Sequence, residues 1–268
     1  MPTPAADEPD LGELFAKANE LRRLHQSPEI LMLVNVWDVA TARVVADLDG
    51  TRAVATASHS IAASLGYPDG EQISLDEMIS TVGRIAAAVQ LPVTADLEAG
   101  YGNPGETIRR AVGVGVVGAN LEDQMLPLPQ AVAAVDAALA AGEAEGVPFV
   151  LNARTDAFLL AGDRPLADVT ADAIARGRAY LDAGAACAFI PGLLDEATVR
   201  ALVDALGPQQ ISLISVPGSL PVSEMQRLGV ARVSVGPWSQ RIALTALADA
   251  ATDLLAGGSL PPGTRPLS

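Results

Sequence analysis

An α/β fold, a (β/α)8 TIM barrel with an N-terminal lead-in helix, is what this sequence predicts, and three observations carry it. Eight apolar runs alternate with eight helical segments, the pattern of parallel strands covered on both faces. The length is 268 residues, and a barrel of this kind usually takes roughly 250. Polar residues gather where the apolar runs end and the helices follow, whereas the opposite ends are mostly Gly, Pro or Thr. The runner-up is an open doubly wound sheet. No Gly-x-Gly-x-x-Gly follows the first strand, which weakens a dinucleotide-binding version. No domain break is visible, so residues 1–268 read as one domain, with 1–10 and 257–268 as flexible ends.

The elements follow in order. Leu11 to Gln26 is the lead-in helix, with Leu14, Phe15, Ala18, Leu21 and Leu24 on one stripe. Ile30 to Val36 is the first strand and Thr41 to Leu48 its helix. Arg52 to Ala57 is the second, reaching the helix Leu75 to Val89 through a long polar loop. Pro92 to Asp96 precedes Gly105 to Val114. Ala119 to Glu122 precedes Pro129 to Glu145, and Phe149 to Arg154 precedes Leu166 to Ala183. Cys187 to Ile190, Ile211 to Ser215 and Arg232 to Val235 are the last strands. Their helices are Glu196 to Leu206, Val222 to Leu228 and Gln240 to Leu255.

Composition narrows the function. Half the residues are hydrophobic but only 3% are aromatic, so the core should be aliphatic. A net charge of −15 argues against nucleic acid and anionic membranes, which need clustered Lys and Arg. It does not argue against an anionic metabolite, because a local Arg or a bound metal reverses the sign inside a cleft. The single cysteine, Cys187, excludes an intrachain disulfide and a Cys-based zinc cluster, and it sits in an apolar run as a small core residue. The histidines, His25 and His59, are far apart, which disfavours a His-rich metal site. Met1 to Asp10 has neither a basic start nor an apolar signal core, and no apolar run approaches the roughly 20 residues of a membrane span. A soluble cytoplasmic protein is expected.

The stretch that carries chemistry is Asp96-Leu97-Glu98-Ala99-Gly100-Tyr101-Gly102-Asn103. On an extended backbone Asp96 and Glu98 share a face. Two carboxylates that close repel unless a cation or proton lies between them. Mg²⁺ suits them, taking oxygen ligands and keeping several waters, and Mn²⁺ accepts the same donors. Taken alone, the pair reads equally well as acids decorating a helix N-terminus. A barrel places catalytic groups where strands end, and the strand ends here carry Asp38, Ser58, His59, Asp96, Glu98, Glu122, Asp123, Arg154, Asp156 and Ser215. Helix capping accounts comfortably for Asp38, Asp123 and Asp156, less well for Glu98, Glu122 and Arg154.

Four motifs in sequence resemble the isocitrate lyase / phosphoenolpyruvate mutase superfamily: Ala62-Ala63-Ser64-Leu65-Gly66-Tyr67-Pro68-Asp69, the acid stretch, Leu121-Glu122-Asp123-Gln124, and Asn152-Ala153-Arg154-Thr155-Asp156. The resemblance runs from about Ile30 to about Ser239. It implies a (β/α)8 barrel, usually tetrameric and often exchanging a C-terminal helix. It also implies Mg²⁺ and chemistry on 2-oxo acids or phosphoenolpyruvate-like substrates. By position, Asp96, Glu98 and Glu122 resemble the metal-site acids, Glu98 standing where many members have Asp. Arg154 resembles the arginine that holds the substrate carboxylate, and the backbone at Ala57 and Ser58 the segment meeting substrate oxygens. Asp69 resembles the acid of a gating loop, Leu65 to Ser74. The Lys-Lys-Cys-Gly-His loop of isocitrate-type lyases is missing after Glu122. The phosphonate-active members have a longer loop there and a His where this chain has Pro191.

The residues that remain fit a Mg²⁺-dependent C–C lyase acting on a small 2-oxo dicarboxylate through a metal-stabilised enolate, with an oxaloacetate-type decarboxylase as its example. Alternatives are P–C bond chemistry, methylisocitrate-type cleavage with Asp69 or His59 replacing the Cys, and a non-catalytic metabolite-binding relative. His59 reads as an acid near neutral pH or as a solvent-facing loop residue. Tyr101 reads as a pocket hydrogen-bond donor or as packing under its loop. Trp37 is expected to wall the pocket, and Trp238 to serve packing or subunit contact. The expected partners are a small anionic metabolite and further copies of the chain.

Overall fold

The computed structural model describes residues 10–267; the N-terminal acidic segment before Asp10 lies outside them. All strands are parallel and form one sheet in the order β1-β9-β8-β7-β6-β5-β4-β3-β2. β1 (Leu31–Leu33) and β2 (Asn35–Val36) are two halves of one stave, broken at Val34, and they are the two ends of that order. β1 pairs with β9 (Arg232–Ser234) and β2 with β3 (Val54–Thr56), so the break closes the ring as a barrel of eight staves. Asn35 fastens the closure: its Nδ2 donates to the Thr56 carbonyl at 2.7 Å, and its Oδ1 accepts from the Val235 and Gly236 amides.

The remaining staves are β4 (Val93–Asp96), β5 (Gly118–Glu122), β6 (Val150–Arg154), β7 (Cys187–Phe189) and β8 (Ile211–Ile214). Each pairs with its sequence neighbour, and the direct partners Glu122 and Arg154 bring two charged groups to adjacent stave ends. The outer ring is α2 (Val39–Ala46), α4 (Leu75–Ala87), α5 (Pro104–Gly113), α6 (Leu128–Ala144), α7 (Leu166–Asp182), α8 (Glu196–Leu206), α9 (Val222–Leu228) and α10 (Trp238–Leu255).

Local chemistry explains the helix starts. Asp38 accepts from the Thr41 amide and Thr41 Oγ1 reaches back, a capping box. Ser74, Asn103 and Asp195 cap α4, α5 and α8 through their side chains, and Pro104 takes the first position of α5 where its missing N–H costs nothing. The lead-in helix α1 (Leu11–His25) lays Leu14, Ala18, Leu21 and Leu24 against the barrel, while Phe15 from the expected stripe is exposed. Leu21 is fully buried, and a Cβ on Gly118 would stand 2.7 Å from its Cδ2; α1 therefore packs directly against β5.

One element departs from expectation. The polar connection after β3 begins with a short helix, α3 (Ser58–Ser64). Ile61 and Ala62 are buried and anchor it, and the connection beyond it begins at Leu65, where the gating loop is expected to begin. Residues from Gly257 to Leu267 carry no helix or strand. Cys187 is fully buried in β7, and burial pushes its thiol up to about 12.

Candidate active site

The ends of β3, β4, β5 and β6 converge on one rim of the barrel. There a cavity of about 340 Å³ is bounded by Ser58, His59, Asp69, Asp96, Asn120 and Arg154 among others. Asp96 ends β4, and its Oδ2 accepts both the Ser58 amide (3.1 Å) and the Ser58 hydroxyl (2.8 Å). The carboxylate thus caps α3 from across a stave boundary, where the helix's first N–H favours negative charge. The Ala57 amide donates to Val36 within the sheet. Both backbone donors of the Ala57–Ser58 segment are therefore already engaged.

Glu98 lies beyond β4 with φ +52° and is almost wholly buried. Its Oε2 accepts from the Glu71 amide of the gating loop, and its Oε1 from the Tyr101 hydroxyl at 3.3 Å. Glu71 in turn accepts from the Tyr101 amide at 2.6 Å. The gating loop and the acid loop are thereby latched at two points. Burial pushes the Glu98 carboxyl up to about 7, and the charges of Asp96, Asp69 and Glu71 add to the rise. Burial also raises the Tyr101 phenol, helped by the Glu98 charge.

Glu122 ends β5, with its Oε2 2.7 Å from Nη1 of Arg154. Burial pushes its carboxyl up to about 7; Arg154 opposes the shift while Asp156 and Asp96 reinforce it. Arg154 also donates from Nε to Asp156 Oδ1 at 2.7 Å. Burial disfavours its charge, but Glu122, Asp156 and Asp96 outweigh that and raise its pKa. Behind this pair, buried Asp123 accepts from Tyr180 Oη (2.6 Å), Arg176 Nη1 (3.0 Å) and the amides of Met125 and Asp156. These bonds outweigh its burial and hold its carboxyl below the usual range.

Two of the proposed acid–base residues meet: His59 Nδ1 is 3.3 Å from Asp69 Oδ2, joining α3 to the gating loop over the cavity. The other placements vary. Asp96 borders the mouth cavity, Glu122 borders a neighbouring cavity of about 260 Å³, and Arg154 borders both. Glu98 and Tyr101 form the latch with Glu71. Trp37 differs from its expectation: it falls in the turn between β2 and α2, packs half-buried against the core, and does not border the mouth cavity. Trp238 opens α10 and carries the Arg241 guanidinium 4.6 Å from its ring centre. The sequence reading missed Glu71 and Asn120. Glu71 gives no sequence signal, whereas an Asn inside the apolar run Ala119–Leu121 does.

Among the described residues no group of three or more His, Cys, Asp and Glu side chains is set to hold a metal. The donor chemistry still fits a cation of the Mg²⁺ type, which needs only one or two carboxylates beside its waters. Asp96 borders the cavity, and its charge raises the pKa of both Glu98 and Glu122. A divalent cation there would relieve that repulsion.

The phosphoenolpyruvate phosphomutase family model matches residues 21–255. A Mycobacterium tuberculosis (strain H37Rv) protein of unassigned function is 33% identical, covering 89% of this chain and 90% of its own. An oxaloacetate decarboxylase of Bradyrhizobium sp. is 32% identical, covering 82% and 77%. The solved structure of a candidate phosphonomutase from Burkholderia cenocepacia J2315 superposes with a TM-score of 0.83 at 39% identity, covering 88% of this chain and 99% of that one. The chain belongs to the phosphoenolpyruvate phosphomutase family of the isocitrate lyase superfamily and is an enzyme of that superfamily.

Proposed function

We propose that the barrel mouth catalyses C–C bond cleavage in a small 2-oxo dicarboxylic acid, with decarboxylation of an oxaloacetate-type substrate as the reaction. The observation that carries this reading is the β5–α6 connection. After Glu122 only Asp123-Gln124-Met125-Leu126-Pro127 precedes α6, so no Cys, His or Lys follows the acid. Retro-aldol cleavage needs a base for the hydroxyl proton and an acid to quench the carbanion. Loss of CO₂ from a 3-carboxyl group needs no base, and water can return the proton. The resemblance to an oxaloacetate decarboxylase supports the same choice.

Asp96 would hold a divalent cation, with Glu98 and Glu122 nearby to bind it directly or through water. When bound, Mg²⁺ or Mn²⁺ supplies a Lewis acid that draws charge from the 2-oxo oxygen. Arg154 binds a substrate carboxylate through Nη2, the guanidinium nitrogen joined to neither Glu122 nor Asp156. Ser58 orients Asp96. His59 and Asp69 lie over the cavity, where a closed gating loop excludes water and a proton can be held on the imidazole. Tyr101 orients Glu98 through its hydroxyl.

A cytoplasmic homo-oligomer fits the surface. Ile242, Leu244, Leu247 and Leu255 are exposed along α10, which buries only Gln240 in the single chain. No helix among the described residues is long and apolar enough to cross a membrane. The test is a substrate panel with Mg²⁺: oxaloacetate, a methylisocitrate-type hydroxy acid and phosphonopyruvate, each followed by pyruvate release. Turnover confined to oxaloacetate is expected; turnover of phosphonopyruvate alone would replace this reading with P–C cleavage.

A further inference from the structure

Beneath the mouth cavity the barrel interior holds a charge that makes no ion pair among the described residues. Arg232 opens β9 and is 1% exposed. In the strand order β9 stands four staves from β5, across the ring, so its side chain spans the interior to reach Asn120. Nη2 donates to Asn120 Oδ1 at 3.0 Å, whereas Nε and Nη1 are sealed from solvent and unpartnered. No carboxylate pairs with it among the described residues. Burial lowers its pKa to about 10, which leaves it charged at neutral pH. An unpaired buried cation is costly to folding, and a site that retains one calls for a reason.

The contact fixes the orientation of Asn120. A guanidinium has donors only, so the Asn120 atom facing it is the oxygen. Asn152 Nδ2 donates to the same oxygen at 2.8 Å. The amide nitrogen is therefore the opposite end. It makes no hydrogen bond among the described residues and is not one of the sealed, unpartnered atoms. Asn120 borders the mouth cavity together with Ser58, Asp96 and Arg154.

We propose that Asn120 is a substrate-contacting residue, its Nδ2 donating to an oxygen of the bound 2-oxo acid, and that Arg232 is the positioning residue that fixes and polarises this amide from below. The inference rests on the reading of the mouth as a 2-oxo acid site. Ser58 gives both its amide and its hydroxyl to Asp96, and Arg154 keeps only Nη2 beside its bonds to Glu122 and Asp156. Asn120 brings two N–H groups that need no rearrangement to meet an anion. A positive charge against its carbonyl oxygen withdraws electron density and strengthens those donors. The same charge gives the cavity floor a favourable potential for a dianion, with no neutralising carboxylate in contact.

The test uses the full chain with Mg²⁺ and oxalate, a planar dianion carrying the oxygen pattern of a 2-oxo acid, followed by titration calorimetry and thermal unfolding. Asn120→Asp hands Arg232 a carboxylate partner while replacing the donors with acceptors. The melting temperature should hold or rise while oxalate affinity falls by about tenfold or more, the worth of a charge-assisted hydrogen bond. A residue with a merely structural role would not separate the two readouts in that direction. Asn120→Ala, which adds no charge, should show the same loss of oxalate affinity, and Arg232→Met a smaller one with a rise in KM rather than a collapse of kcat. Unchanged oxalate affinity in both Asn120 variants would overturn the proposal while leaving the site reading intact. Failure of the unmodified protein to bind oxalate or to turn over any 2-oxo acid would overturn both.

Discussion

Nη1 of Arg154 lies 2.7 Å from Oε2 of Glu122, its direct register partner on the neighbouring stave. The pair links the mouth cavity to the cavity beside it, and it constrains how a substrate carboxylate is bound. The incoming group takes the free Nη2 of a guanidinium whose Nη1 and Nε two acids already hold in place. That preorganisation lowers the cost of ordering the side chain on binding.

Arg154→Lys keeps the charge but loses the fork. Lysine can meet Glu122 or the substrate, not both in the same plane. Steady-state kinetics should show KM for the 2-oxo acid raised about tenfold or more, the cost of one charge-assisted bond, with circular dichroism unchanged. An unaltered KM would place the substrate carboxylate elsewhere.

The raised acids make a pH prediction whose sign is definite. Glu98 and Glu122 rise from 4.5 to about 7 on folding. Between those values the folded state binds more protons than the unfolded one, so stability falls as pH rises through the window and levels off above it. Mg²⁺ at the acid cluster favours the ionised forms and should release protons near pH 7. Calorimetric melts from pH 5 to 8 should show a falling melting temperature that millimolar Mg²⁺ flattens. A melting temperature indifferent to both would detach these acids from a cation site.

Gly100 holds the acid loop. It has φ +90°, and a Cβ there would stand 2.9 Å from Pro104 Cα and 3.1 Å from Leu121 Cδ1. Gly100→Ala must strain the backbone and displace either α5 or β5. A loss of about 1–3 kcal/mol is expected, together with lower activity, because Glu98 and Tyr101 flank the turn. Chemical denaturation measures the first and turnover the second; a variant as stable and active as the parent would contradict the strained geometry.

Tyr180→Phe removes one hydroxyl from the buried Asp123 carboxylate, at a residue that borders the neighbouring cavity and not the mouth cavity. Hydrogen bonds to charged groups are worth about 1.5–3 kcal/mol. The unfolding free energy should fall by about 2 kcal/mol on that basis. Because Asp123 also holds the Asp156 amide, and Asp156 holds Arg154, a modest rise in KM should accompany it.

Much of this arrangement is legible in the sequence because it is written in periodicity. Apolar runs and helical stripes place all eight staves, and the acids at Asp96 and Glu122 sit where strands must end. What is not legible depends on contacts between distant segments. The helix α3 is a short polar stretch held by Ile61 and Ala62, too brief for a periodic signal. The latch from Glu71 to Glu98 and Tyr101 needs left-handed backbone at all three residues, which no residue type there announces. Asn120 looks like an interruption of one strand and Arg232 like the start of another, and only closure of the ring shows that they meet.

The most direct measurement is pyruvate release from oxaloacetate by the parent enzyme and by Asp96→Asn, each with Mg²⁺ and with a chelator. The account predicts turnover by the parent that the chelator abolishes and added Mg²⁺ restores, and none above background from Asp96→Asn at an unchanged melting temperature. Equal turnover by the two proteins, or turnover indifferent to the chelator, would contradict it.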